Sequence, residues 1–347
     1  MGEIQKRPFQ LSFNASLRVD FQGSRVTSDG GLILVRELDE RLGFGKLAVE
    51  YLTDTRAKSA QLPIVDLLRQ LVYSRLAGYE DVNDAERLAQ DPSFRLIGSE
   101  KIWDRGAALP SRLQSFEAQM LAEDGNFSGL ARLNWELVGK AEAIDSHCRT
   151  VLDMDSTEIP AYGEQEQSAY NGHFESICYY PLLLFNRDGD CLAAKLRPGN
   201  VHSAEGWEEL LLPEIERQQK LGKEVVFRAY AAFARPEIYE ALESRGVKYA
   251  IRIPANENLE RDIAELLTRL VGRPSHKPVV WYKGFLYKAA SWTTARRVVA
   301  KVEHHAGKLF PRLGFIVPIW RRRAERWCGS TTSAARPRSG SRKASRR

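Results

Sequence analysis

Val151-Leu152-Asp153-Met154-Asp155-Ser156-Thr157 is the stretch on which the reading of this chain turns. Side chains alternate across a strand, so Asp153 and Asp155 leave one face while Leu152 and Met154 leave the other. Two readings are open for such a carboxylate pair. One is the solvated acidic side of a half-exposed strand; the other is part of a divalent-metal site. Metal-assisted phosphodiester cleavage needs hard oxygen ligands from separate elements, holding two Mg²⁺ ions about 4 Å apart. One strand supplies only a portion of that set.

Working outward from this strand, Arg149 to Asp155, Ile177 to Phe185 and Asp190 to Leu196 are β-rich, and Asn186-Arg187-Asp188-Gly189 has hairpin-turn chemistry. A strand followed by an antiparallel pair is predicted. An amphipathic helix over Ser203 to Lys220 follows, with Ser203 as its N-cap, then a β-branched strand at Glu224 to Arg228. A helix at Pro236 to Ser244, a strand at Lys248 to Ile253 and a helix at Leu259 to Leu270 continue the alternation. Strands return at Val279 to Tyr287, Arg296 to His304 and Gly314 to Val317. This order predicts an α/β domain interrupted late by a β insertion, about residues 275–317.

Upstream, residues 1–145 read as mainly helical after an extended or hairpin start, Phe9 to Thr27. Leu32, Val35, Leu38 and Leu42 recur at helical spacing, as do Ile64, Leu67, Leu68, Leu71 and Leu76. A second helical pair is predicted around Ser111 to Leu121 and Gly129 to Lys140, and Asp91-Pro92 and Leu109-Pro110 mark helix boundaries.

The chain has 347 residues and a net charge of +6. That charge is unevenly placed: Pro318 to Arg347 holds ten Lys or Arg against one acid, Glu325, leaving the first 317 residues at −3. The high overall pI therefore says nothing about DNA binding by the folded body. Cys148, Cys178, Cys191 and Cys328 lack CxxC spacing, which argues against a zinc site or a disulfide framework. With no run of eighteen apolar residues and no signal-like start, neither membrane insertion nor secretion is expected, and the cytoplasm is the default.

Leu152 to Thr157, Tyr162-Gly163-Glu164-Gln165-Glu166, Tyr170-Asn171-Gly172-His173, Tyr180-Pro181-Leu182, Leu196-Arg197-Pro198-Gly199-Asn200-Val201-His202, and Ser291-Trp292 with Arg296-Arg297-Val298-Val299 stand in this order. Together they resemble the group 1 DDE transposases, the bacterial insertion-sequence family numbered 1380, from about Phe13 to Val317. The resemblance implies an RNase H-like catalytic core with a β-strand insertion (residues 146–317), preceded by a helical N-terminal region (1–145) that helps bind transposon-end DNA. It also implies a homodimer and a carboxylate triad for Mg²⁺ or Mn²⁺. Asp155 matches the first catalytic aspartate, with Asp153 as an assisting neighbour. The second aspartate of the family falls at Tyr230, within Phe227-Arg228-Ala229-Tyr230-Ala231-Ala232-Phe233. A neutral phenol with a pKa near 10 is a poor substitute for a carboxylate on Mg²⁺, so a catalytically inactive copy is expected.

The third acid is expected after Val317, where the sequence turns to Arg, Ser, Gly and Ala. By composition, 318–347 is a disordered basic arm. Translated one base out of phase, Trp327 through Ala344 can encode VVRFYNQRGTAEKWIKEG, which resembles the missing family segment. A frameshifted, truncated copy is therefore expected, less stable for want of its last helices.

His173, Arg197, His202, Lys248 and Arg252 are candidate phosphate contacts near the site, each equally readable as a cap, turn or strand residue. Trp292, Arg296 and Arg297 are candidates for a stacking clamp, with packing as the alternative for Trp292. His304-His305 is read as exposed rather than metal-binding. Two rivals follow: a non-catalytic DNA-binding remnant that occupies transposon ends, and an active nuclease that recruits Glu224 or Glu237 beside Asp153 and Asp155.

Overall fold

The computed structural model describes residues 9–19, 28–56, 62–99, 102, 106–144, 147–268 and 277–319. They form two compact units, 1–146 and 147–347.

The first unit opens with a hairpin, β1 (Phe9–Leu11) and β2 (Asn14–Val19), and is otherwise helical. Helices Leu32–Leu42 and Ile64–Leu76 form where the apolar spacing places them, but the first turns a different face inward. Leu38 is 54% exposed, while Arg36 and Asp39 are buried. Those charges are tolerable because they are paired. Arg69 reaches Asp39 with two hydrogen bonds of 2.8 Å, the Tyr73 hydroxyl donates to Asp39 at 2.5 Å, and Arg36 donates to the Ile97 carbonyl at 3.1 Å. Asp91 caps helix Pro92–Ile97, accepting from the Ser93 and Phe94 amides, with proline at the first position, where its missing N–H costs nothing. Helix Pro110–Ser115 runs into a π-helical turn, Phe116–Leu121, followed by helix Asp124–Ile144. Gly129 of that last helix permits a close approach: a Cβ there would sit 2.0 Å from the Tyr51 carbonyl oxygen.

The second unit is built on one eight-stranded sheet. Its strands are β3 (Arg149–Ser156), β7 (Leu182–Phe185), β8 (Cys191–Lys195), β9 (Glu224–Ala229), β10 (Lys248–Ile253), β11 (Val279–Tyr287), β12 (Arg296–His304) and β13 (Arg312–Pro318). The order is β11-β12-β13-β10-β9-β3-β7-β8. β3, β7 and β8 follow one another as an antiparallel meander, whereas β9 and β10 lie parallel to β3 after helices Trp207–Lys220 and Pro236–Ser244. This is the RNase H-like arrangement that the resemblance implies, three antiparallel strands and then two helix-crossover strands.

Three sequence expectations need correction. The run Ile177 to Phe185 is two strands, because Tyr180-Pro181 breaks it. Its first half is β6 (Ser176–Tyr179), which joins β4 (Ile159–Pro160) and β5 (Ala169–Asn171) in a separate three-stranded sheet. Ser203 is not the cap of the next helix; Gly206, at φ 71°, takes that place and makes no side-chain cap bond. In place of one helix over Leu259 to Leu270 stand two short helices, Glu257–Arg261 and Ala264–Leu267, and 269–270 lie outside the described residues. The β insertion extends the main sheet, since β13 pairs antiparallel with β10. Among the described residues no helix is long and apolar enough to cross a membrane.

Candidate active site

β3 buries Leu152 and Met154 almost completely, which fixes Asp153 and Asp155 on the opposite face. Burial of each such side chain is worth roughly 1.5–3 kcal/mol, so a one-residue slip that exchanged the faces is strongly disfavoured. The parallel pairing with β9 sets Asp153 opposite Arg228 and Met154 opposite Ala229. The next residues, Asp155 and Tyr230, therefore emerge beside one another at the carboxyl ends of neighbouring strands, the end at which open α/β sheets carry their sites.

Asp153 is fully engaged. Arg228 Nε donates to its Oδ1 at 2.7 Å and Arg228 Nη2 donates to Oδ2. Burial pushes the Asp153 pKa up and the guanidinium pulls it back. Asp155 stands differently. The one hydrogen bond to its carboxylate among the described residues comes from the Ser156 amide, at 2.9 Å, and burial, with a smaller contribution from the charge of Asp153, holds its pKa above the ordinary carboxylate value. Tyr230 is extended at φ −80° and leads a 3₁₀ turn, Ala231–Phe233. Burial, followed by the neighbouring charge of Asp155, raises its pKa, so the phenol stays neutral. Arg252 of β10 lies over its ring, 5.5 Å from the centroid.

The donor set does not fit a pair of divalent cations. Asp155 has coordination capacity to spare, Asp153 has both oxygens on Arg228, and Tyr230 offers a neutral phenol. Among the described residues no group of three His, Cys, Asp or Glu side chains converges as a metal site.

The strand end is braced by Arg197, which the sequence leaves open between a phosphate contact and a structural residue. Arg197 is 4% exposed and spends its guanidinium internally. It donates to the carbonyls of Tyr180 (2.9 Å), Ser203 (3.2 Å) and Glu205 (2.5 Å), and to Ser156 Oγ (2.9 Å). Ser156 Oγ in turn donates to the Ser203 carbonyl at 2.9 Å. Arg197 is thus a clamp on the residue after Asp155, with nothing left for DNA.

Other candidates also move. Lys248 pairs with Glu224 at the far end of the sheet, where Arg149 joins them, which separates both Lys248 and Glu224 from Asp155 by the length of β9. Glu237 is exposed on its helix and lies 3.7 Å from Arg235. Arg296 is buried against Glu243, Tyr239 and Trp292 rather than presented to a ligand. Arg297 lies across Gly284, 3.2 Å from where a Cβ would stand. Trp292 is buried, edge-on to Tyr239 and Tyr287. His304 and His305 are half-buried, not exposed, and His304 Nε2 lies 3.0 Å from the Leu266 carbonyl. His173 and His202 are exposed. The His173 amide donates to Asn171 Oδ1, and His202 Nδ1 accepts from the Ala204 amide, so both serve turns.

Sequence reasoning missed the role of Arg228. The signal was present, a basic residue two positions before Tyr230, but only the β3–β9 register shows that it faces Asp153.

Residues 9–336 match a family model described as transposase DDE domain group 1. The matched span is wider at both ends than the motifs quoted from Phe13 to Val317. A search of curated proteins found no match.

Proposed function

Because this chain belongs to the group 1 family of DDE-domain transposases, we propose that it is an insertion-sequence transposase that engages the DNA ends of its element but no longer cleaves them. One observation carries this reading: Tyr230, neutral, stands beside Asp155 where the family resemblance puts an aspartate. In-line displacement at a phosphodiester depends on paired cations that stabilise the entering and leaving oxygens, and a lone open carboxylate is insufficient for it. Within the group, the motifs around Asn171 and Gly199 support assignment to insertion-sequence family 1380. The setting is the cytoplasm of a bacterium, on DNA, with the homodimer as the working state.

The second reading, a remnant that occupies transposon ends, is favoured by the N-terminal unit. It carries its own core, including Leu67, Leu68, Leu71, Leu113 and Phe116, so its folding does not depend on the catalytic strands. DNA binding by that unit survives loss of the site.

Nicking of supercoiled DNA carrying the element's terminal repeats, with Mn²⁺ or Mg²⁺, tests the proposal together with Mn²⁺ titration calorimetry. The chain as it stands should nick no faster than the Asp155→Ala variant and bind Mn²⁺ no more tightly than that variant does. Tyr230→Asp should gain at least tenfold in Mn²⁺ affinity. Metal-dependent nicking that is abolished by Asp155→Ala would overturn the reading.

A further inference from the structure

The three-stranded sheet presents one apolar face to solvent. In its register Ile159 is opposite Tyr179, Tyr170 is opposite Ile177, and the alternation along β6 places all four on one side. Cys178 and Ala169 point the other way, packed so closely on Gly199 that a Cβ there would meet the Ala169 carbonyl oxygen at 2.3 Å. Ile159, Tyr170 and Ile177 are 46%, 60% and 50% exposed, and Tyr162 beyond β4 is 84% exposed.

The stretch of sequence that carries that face is of one sign. From Thr150 to Asn186 the sequence has six acids, Asp153, Asp155, Glu158, Glu164, Glu166 and Glu175, and not one Lys or Arg. Glu164, Glu166 and Glu175 are exposed. A polyanion such as DNA is repelled from this surface, whereas an arginine-rich strand gains from it twice, through the carboxylates and through guanidinium stacking on Tyr162 and Tyr170. The chain itself contains an arginine-rich segment: residues 320–347 hold ten Lys or Arg and one acid.

Reach is no obstacle. Ile319 follows β13, three strands from β3, and its amide donates to the Tyr249 carbonyl of β10. Strand spacing and rise put it roughly 20 Å from the end of β3, where the small sheet begins. The 28 residues from 320 to 347 exceed that distance several times over at about 3.3 Å per residue. Covalent attachment makes the encounter with the sheet intramolecular.

We propose that the exposed face of the β4-β6-β5 sheet docks the arginine-rich segment 320–347 of the same chain, which withholds those cations from DNA. The test uses the full chain with Trp327 replaced by p-benzoylphenylalanine, photolysed at low protein concentration in about 50 mM salt, with adducts mapped by mass spectrometry. Adducts should fall within the same chain on residues 158–179. They should drop at least fivefold in 0.5 M salt and in Glu164→Gln/Glu166→Gln/Glu175→Gln, and persist in the matching triple Asp variant. Adducts that lie elsewhere, that join two copies, or that are indifferent to the Gln substitutions would each overturn the proposal.

Discussion

Asp155 is a carboxylate held half out of water without a cation opposite it, and its raised pKa records the cost. For an acid with a raised folded-state pKa, that cost is fully present above the folded value and is relieved as pH falls through it. Asp155→Asn should therefore stabilise the chain near neutral pH, by about 1 kcal/mol or 2–4 °C in Tm. The gain should shrink as pH falls into the acid range; a Tm unchanged or lowered at pH 7 would contradict this account of the residue. Asp153 differs from Asp155 only in position along one strand, yet Arg228 neutralises it. The contrast shows that a shared face does not give two carboxylates a shared role.

Two elements hold the frame of the second unit. Helix Pro236–Ser244 is tied to the β11–β12 hairpin through Glu243, which accepts from Arg296 at 2.8 and 3.0 Å and from the Tyr249 hydroxyl at 2.6 Å. Burial alone would raise the Glu243 pKa, but Arg296 and Tyr249 outweigh it and the net shift is downward. Glu243→Gln leaves a buried guanidinium uncompensated and should cost about 3 kcal/mol by urea denaturation at pH 7, whereas Arg296→Met should cost less. A depressed carboxylate stabilises above its unfolded pKa and loses that contribution as pH falls through the folded value. The gap between wild type and Glu243→Gln should accordingly close below about pH 4. The second element is the loop at Gly199, where β5 and β6 rest on bare backbone. Gly199→Ala would drive a methyl into two carbonyl oxygens, at 2.3 and 2.6 Å, so the small sheet should detach. Faster amide exchange confined to residues 159–179 would report it; unchanged protection would refute the packing argument.

At the scale of the molecule, two cores in one chain imply two cooperative units. Gly129 offers a way to separate them. Gly129→Ala would place a Cβ 2.0 Å from the Tyr51 carbonyl oxygen and should lower one calorimetric transition by several degrees while leaving the other in place. A single transition shifted as a whole would show that the units unfold together. The same division is what the proposed function draws on in placing DNA binding in the first unit and the site of Asp155 and Tyr230 in the second.

The order and type of the strands and helices around Asp155 were legible in the sequence, because alternation and helical spacing are local consequences of which side chains must leave water. The ordered motifs from Leu152 to Val299 were equally legible as the mark of a transposase. So was the place of Tyr230 at the end of β9, since chain order alone brings it there. The pairing of β13 with β10, the bond of Arg228 to Asp153, and the use of Arg197 and Arg296 as buried braces were decided only by the tertiary structure. A charged side chain has the same sequence signature whether it faces water or a carbonyl two strands away. Register and burial settle which partner it finds, and both belong to the assembled sheet.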